Sequence, residues 1–222
     1  MVDRLEALLK GYSEFRATTY AGHRDLYHDL AEHGQSPEIM VIACCDSRVE
    51  PAAIFSAPPG ALFVVRNVAN LVPPYKPDGD YPGTVAALEF AVTGLGVKRI
   101  VVLGHAQCGG VKAFIESTRD QVSRGHFIDK WMSILEPACE IAKQHSDPAE
   151  TQQAMEKAAI GISIENLKSF PFVRERLDAG TLTLHAGYFH IGSGALMAYR
   201  ESRGVFEPVW PDGATEADEL PG

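Results

Sequence analysis

Three short, uninterrupted apolar runs constrain the fold of this chain more than any other feature. They occupy residues 39–44, 62–65 and 100–103, and none alternates apolar with polar residues as a half-exposed strand does. Strands that are buried on both faces have this pattern, and they belong to parallel sheets covered by helices. A fourth segment, 181–191, is rich in β-branched and aromatic residues and predicts a fourth strand.

Helical segments separate these predicted strands. Residues 82–96 begin at a proline, end at glycines and carry apolar residues at helical spacing. Gly109 and Gly110 open another helix, and residues 127–176 are helical by period with breaks at two prolines. Strands that alternate with helices predict an α/β fold, in which a mostly parallel central sheet is flanked by helices.

The N-terminal residues predict a helical arm. Apolar residues recur at spacings of three and four over residues 3–33, and this stripe needs its own core or a partner subunit to pack on. Residues 211–222 contain four acidic and no basic residues, which is typical of a flexible tail. We therefore predict a helical arm at 1–34, an α/β domain at 35–210 and an acidic flexible tail at 211–222.

Composition and charge argue against several classes of partner. Hydrophobic residues make up 45% of the 222, and no uncharged apolar run approaches the roughly 18 residues of a membrane span. The formal net charge of −9 disfavours nucleic acid or an anionic membrane as the main partner. Charges interleave with the N-terminal leucines, unlike in a secretory signal, so we expect a cytoplasmic protein without disulfides. Cys45 and Cys139 are expected as small buried core residues.

Side chains that commonly bind metals follow two of the predicted strands. Cys44 ends the first strand, and His105 and Cys108 follow the third. Because the carboxyl ends of parallel strands lie at one edge of a sheet, these side chains are expected to meet. Two thiolates and one imidazole suit Zn²⁺, and three protein ligands with one open position are typical of catalytic zinc. Water or Asp46 is expected in the fourth position.

The order of these motifs resembles that of the β-class carbonic anhydrases. Cys-x-Asp-Ser-Arg at 44–48 precedes Gly-His-x-x-Cys-Gly-Gly at 104–110, and residues 63–75 resemble the second signature block of the family. The resemblance implies a catalytic domain with one Zn²⁺ per chain that reversibly hydrates CO₂ to bicarbonate and a proton. Hydroxide on the zinc, available because the metal lowers the pKa of water, is the implied nucleophile. It also implies a homodimer or higher homo-oligomer with the site at the subunit interface.

The resemblance identifies Asp46 and Arg48 as the catalytic pair. An ionised Asp46 accepts the proton of the zinc-bound hydroxide and thereby points its lone pair at CO₂. The planar guanidinium of Arg48 holds that carboxylate away from the metal through a bidentate contact. Without Arg48, Asp46 is expected to become a fourth ligand and to close the site.

The resemblance also implies a substrate pocket. Phe63, Val68 and Phe90 match its apolar positions, where CO₂ requires dry and weakly polar walls. Gln35 stands nine residues before the first zinc ligand, as in the plant-like subgroup, and is expected to donate a hydrogen bond to a substrate oxygen from the neighbouring subunit. Gly109 begins a helix whose N-terminal amides favour an anion in the site.

A second subgroup carries an inhibitory bicarbonate site built on a Trp, an Arg and a Tyr. Here the Trp position is Val41 and the Tyr position is Phe189, while Arg66 is common to both subgroups. We therefore predict an enzyme without a bicarbonate switch.

Two other functions stay open at this point. A relative on the same scaffold could hydrolyse CS₂ or COS, because a fold does not determine its substrate. The chain could also be a catalytically silent zinc scaffold protein. Gln35 and an unblocked pocket favour CO₂, and the presence of Asp46 and Arg48 beside a three-ligand zinc set argues against a silent scaffold.

Overall fold

Four parallel strands and two antiparallel strands form one sheet. The computed structural model describes residues 3–77 and 82–209, and within these the strands are β1 (Ile39–Cys44), β2 (Leu62–Asn67), β3 (Arg99–His105), β4 (Thr183–Phe189), β5 (Leu196–Arg200) and β6 (Val205–Pro208). Their order across the sheet is β2-β1-β3-β4-β5-β6, with β5 antiparallel to β4 and β6 antiparallel to β5. The predicted α/β fold with a mostly parallel sheet is confirmed.

The two antiparallel strands were not predicted. The strand at 39–44 matches its apolar run residue for residue, whereas β5 and β6 mix apolar with charged residues. They form a hairpin at one end of the sheet, where side chains such as Tyr199 and Val205 face solvent. Neither strand has a fully buried residue, so their sequences carry a weak hydrophobic pattern.

Helices connect the strands and cover the sheet. In chain order they are α1 (Arg4–Ala17), α2 (Thr19–Gly22), α3 (Arg24–His33), α4 (Pro51–Ile54), α5 (Pro82–Glu89), α6 (Gly109–Asp120), α7 (His126–Met132), α8 (Cys139–Ala142), α9 (Pro148–Ser169) and α10 (Pro171–Asp178). A π-helical turn, Phe90–Gly94, continues α5. The two prolines predicted as breaks are the first residues of α9 and α10, where proline has no amide bond to lose. No helix among the described residues is long and apolar enough to cross a membrane.

The N-terminal arm is helical but is not one continuous helix. It is interrupted at Thr18 and His23, and the Thr18 hydroxyl donates a hydrogen bond to the backbone carbonyl of Glu14 at 2.8 Å, a local bond that competes with helix continuation. The apolar stripe of α1 is exposed, with Leu8 72% accessible. The domain division stays a prediction, and the tail at 211–222 lies outside the described residues.

The buried apolar cluster is larger on one face of the sheet than on the other. On one face, Met40 and Ile42 of β1 pack with side chains of α5, α9 and α10. On the opposite face, Val41 and Ala43 belong to a smaller buried cluster with Val49.

Two cysteines differ from the prediction that they are buried core residues. Cys45 is exposed because it lies beyond the end of β1, and Cys139 is only partly buried.

Candidate metal centre

Cys44, His105 and Cys108 meet at the carboxyl ends of β1 and β3. Cys44 is the last residue of β1 and His105 the last of β3, and the two strands are neighbours in the sheet. Cys108 follows one turn later, directly before α6. All three side chains are buried, and their ligand atoms lie within 4.8 Å of one another. The predicted ligand set is therefore assembled by the topology of the sheet.

The three donors fit a zinc ion. The Nδ1 atom of His105 hydrogen-bonds the carbonyl of Ala106 at 2.9 Å, which leaves Nε2 with its lone pair facing the cluster. This buried Nε2 has no hydrogen-bond partner among the described residues, a costly state that a metal ion removes. The Sγ atoms of Cys44 and Cys108 are 3.9 Å apart, close to the roughly 3.8 Å of two sulfurs on a tetrahedral zinc.

The surroundings of the two thiols favour a negative charge on Cys44. Cys44 receives backbone N–H groups from Asp46 and Ala69, and Cys108 receives two from the first turn of α6. The hydrogen bond between the two sulfurs lowers the pKa of Cys44, and the same contact raises the pKa of Cys108. The pair therefore holds one negative charge readily, even before the positive charge of a metal is added.

Asp46 and Arg48 form a tight ion pair beside the cluster. Arg48 donates from Nε to Oδ1 at 2.9 Å and from Nη2 to Oδ2 at 2.7 Å, and its backbone N–H adds a third bond to Oδ1 at 3.0 Å. The same Nη2 also donates to the Gln107 carbonyl at 3.0 Å. Hydrogen bonding by Arg48 is the main cause that holds the pKa of Asp46 well below its usual range. Asp46 Oδ2 lies 3.9 Å from His105 Nε2, so an ionised carboxylate borders the metal position.

The predicted substrate residues are brought together only in part. The rings of Phe63 and Phe90 lie with centroids 6.0 Å apart, and Val68 is partly buried at the end of β2. Gly109 is the first residue of α6. Gln35 lies exposed in the loop before β1, and no hydrogen bond among residues 3–77 and 82–209 joins it to the cluster. Phe90 is 52% exposed, so this chain alone does not enclose the pocket.

Comparisons with known proteins agree with this site. A family model described as carbonic anhydrase matches residues 39–196. Chloroplastic β-carbonic anhydrase 5 of Arabidopsis thaliana is 38% identical over 191 residues, which are 85% of this chain and 62% of that protein. The chain belongs to the β-carbonic anhydrase family. Zinc is accordingly its cofactor, as the donor set predicts.

Solved structures of the family share the fold over most of their length. The β-carbonic anhydrase CcaA superposes with a TM-score of 0.87 at 30% identity, covering 93% of this chain and all of that one. One of two tetrameric β-carbonic anhydrases of Sordaria macrospora gives a TM-score of 0.77 at 28% identity, covering 87% of this chain and 95% of that one.

Several residues that support the site were missed by sequence reasoning. The side chain of Asn67 bonds both the N–H and the carbonyl of Leu71 at 2.8 Å, which closes the loop after β2. Trp131 donates its indole N–H to the Val68 carbonyl at 2.8 Å. Glu156, buried on α9, accepts the backbone N–H of a metal ligand. The contacts of Trp131 and Glu156 join distant parts of the chain, so no local pattern identifies them.

Proposed function

We propose that this chain is a zinc-dependent carbonic anhydrase, which reversibly hydrates CO₂ to bicarbonate and a proton. The observation that carries the proposal is the position of Asp46. Arg48 binds both oxygens of its carboxylate. One of these oxygens lies 3.9 Å from Nε2 of His105, which belongs to the buried Cys-His-Cys cluster. A purely structural zinc site is closed by four protein ligands and needs no such restrained carboxylate.

Asp46 orients the nucleophile. When bound, zinc supplies a water molecule of lowered pKa, and two thiolate ligands keep that pKa higher than three histidines would. The carboxylate of Asp46 accepts a hydrogen bond from the attacking oxygen, which points a lone pair of that oxygen toward CO₂. Arg48 keeps the carboxylate in this role, because both of its oxygens are engaged and the side chain does not turn to the metal.

An apolar pocket receives the substrate. Phe63, Val68 and Phe90 form walls that suit CO₂, which carries no net charge and is poorly solvated. The N–H groups at the start of α6, beginning at Gly109, favour the bicarbonate anion that forms there.

A second copy of the chain completes the pocket. Phe90, beside Phe63, and Val64, on the edge strand β2, are exposed large apolar residues, and the apolar stripe of α1 also lies on the surface. The Sordaria macrospora relative is tetrameric by its description. We therefore propose a homodimer or higher homo-oligomer in which Gln35 of one chain reaches the pocket of its neighbour.

The chain belongs, in this proposal, to the plant-like subgroup without an inhibitory bicarbonate site. Val41 and Phe189 occupy the positions of the Trp and the Tyr of that site and pack in one apolar cluster. Arg66 already donates to the carbonyls of Cys44 and Asp46 and to the carboxylate of Glu50. A cytoplasmic location is also proposed, and the free cysteines support it.

Stopped-flow CO₂ hydration by the purified zinc protein from pH 6 to pH 9 tests this function. A rate that rises toward alkaline pH without a steep cooperative loss near neutrality is expected. A steep loss would contradict the absence of a bicarbonate switch. No activity at full zinc occupancy would overturn the proposal, and assays with COS and CS₂ would then separate a sulfur-substrate hydrolase from a silent scaffold.

A further inference from the structure

A buried carboxylate lies directly behind the metal cluster. Glu156 of α9 is only 3% exposed. Its Oε1 accepts the backbone N–H of Cys108 at 2.8 Å and the amide of Gln152 at 2.9 Å, and its Oε2 accepts the hydroxyl of Tyr188 at 2.8 Å. Ionisable side chains are rarely buried this deeply without partners, and here one donor from the same helix and two from distant parts of the chain converge on one carboxylate.

The N–H that Glu156 binds belongs to the same peptide unit as the carbonyl of Gln107. That carbonyl accepts a hydrogen bond from Nη2 of Arg48 at 3.0 Å. One peptide is thus held at its oxygen by a guanidinium and at its N–H by a carboxylate. Both groups polarise the peptide in the same direction, so each hydrogen bond strengthens the other.

This peptide follows a residue of uncommon backbone conformation and has room to turn. Gln107 has a φ of +57°, in the left-handed region that residues with a side chain rarely adopt. A cavity of about 170 Å³ adjoins the network and is lined in part by Gln107, Gln152 and Tyr188. A turn of the peptide would change ψ of Gln107 and φ of Cys108, and it would remove the carbonyl from Arg48 and the N–H from Glu156 together. The two hydrogen bonds therefore hold the peptide in its present orientation.

We propose that Glu156 is a positioning residue for the Asp46–Arg48 pair and acts through the Gln107–Cys108 peptide. The inference rests on the proposed function. The Nη2 atom that binds the Gln107 carbonyl is the same atom that binds Asp46 Oδ2 at 2.7 Å. When the peptide turns, Arg48 loses one of its anchors, and the carboxylate beside the metal cluster is held less firmly.

Substitutions of Glu156 test the proposal. Glu156→Leu removes both acceptor oxygens at similar size, and a 10–100-fold loss of kcat with zinc retained is expected, as for other groups that support metal ligands. Glu156→Gln keeps one acceptor oxygen for the Cys108 N–H and should recover most of that loss. Tyr188→Phe leaves the bond to Cys108 in place and should lower kcat much less than Glu156→Leu.

A second measurement does not depend on activity. In the Co²⁺-substituted protein, Arg48→Ala releases Asp46 and should change the visible absorption of the metal. Glu156→Leu should change the spectrum in the same direction, and the double variant should add nothing, because both residues act on the same carboxylate. Leu167→Ala, a core substitution about three turns further along α9, controls for general destabilisation and should leave the spectrum unchanged.

The outcomes separate this inference from the proposed function. A wild-type protein that does not hydrate CO₂ overturns the function, while the Co²⁺ spectra still decide the role of Glu156. Three results would each overturn the positioning role. The Glu156→Leu spectrum could equal that of the wild type, the spectral effects of Glu156→Leu and Arg48→Ala could be additive, or Arg48→Ala could leave the spectrum unchanged. If Glu156→Leu does not fold, the Co²⁺ spectrum of Glu156→Gln tests the positioning role instead. It should shift from that of the wild type in the same direction as that of Arg48→Ala but by less, and an unchanged spectrum would overturn the role.

Discussion

The indole N–H of Trp131 donates to the backbone carbonyl of Val68 at 2.8 Å. Trp131 lies in α7, whereas Val68 begins the loop that follows β2 and is one of the residues proposed to line the substrate pocket. The next residue of this loop, Ala69, has a φ of +63° and supplies a backbone N–H to Cys44. This hydrogen bond therefore helps to hold a strained loop that serves both the proposed pocket and Cys44.

Trp131→Phe should weaken both functions of that loop. The variant keeps an aromatic ring but leaves the Val68 carbonyl without this donor, so we expect a stability loss of about 1–2 kcal/mol and a severalfold lower kcat/KM for CO₂. Urea unfolding and stopped-flow hydration measure the two effects. Phe127→Leu, at an exposed position of the same helix, is the control and should change neither. Equal kinetics for Trp131→Phe and wild type would show that the loop needs no such anchor.

Arg48→Ala should abolish most of the activity without loss of zinc. Asp46 loses its three hydrogen bonds from Arg48 and is free to approach the metal, so we expect a fall in kcat of about 100-fold or more. Arg119→Ala is a matched control, because Arg119 and Asp120 make the same two-point contact on the surface at 2.7 and 3.0 Å. Zinc content and CO₂ hydration of both variants are measured together, and similar losses in the two would contradict a catalytic role for Arg48.

Cys108→Ser should lose stoichiometric zinc, and Cys45→Ser should retain it. Cys108 is buried in the cluster, whereas Cys45 is next to a ligand in the sequence but is exposed beyond the end of β1. Metal analysis after dialysis gives the zinc content of each variant, and thermal unfolding with and without chelator gives the stabilisation by zinc. Chelator should lower the Tm of Cys45→Ser as much as that of the wild type. Equal zinc loss in both variants would refute the assignment of ligands.

Tyr188 should make stability decline at alkaline pH. Burial, and then the hydrogen bond to Glu156, raise the pKa of Tyr188 far above its usual value near 10. The unfolded chain therefore loses this proton first, so the contribution of Tyr188 to stability is complete below about pH 10 and falls as the pH rises toward the folded pKa.

Tyr188→Phe measures this contribution. At pH 8 it should cost about 1–3 kcal/mol, because the hydroxyl that bonds Glu156 is lost. Urea unfolding at pH 8, 10 and 11 should show the difference from wild type narrowing above pH 10. A difference that stays constant across this range would mean that Tyr188 ionises alike in both states.

The parts of the fold that could be predicted are those recorded in local patterns. The strand at 39–44 is a buried apolar run, and Pro148 and Pro171 begin helices because proline needs no amide partner there. The arm was predicted as one helix, and its interruption at Thr18 depends on a side-chain bond that periodicity does not record. The hairpin of β5 and β6 was missed because it lies at one end of the sheet and buries few side chains.

The candidate site likewise has a part that local patterns predict and a part that they do not. By itself the sequence determined which residues are available as ligands, since Cys44 ends one apolar run and His105 and Cys108 follow another, and neighbouring parallel strands bring their ends together. Only the tertiary structure decided which hydrogen bonds support them. Trp131 donates to the carbonyl of Val68, and Glu156 and Arg48 bind the N–H and the carbonyl of the Gln107–Cys108 peptide. Such hydrogen bonds join helices and loops far apart in the chain. Their partners are chosen by packing of the whole core, which leaves no periodic pattern in the sequence.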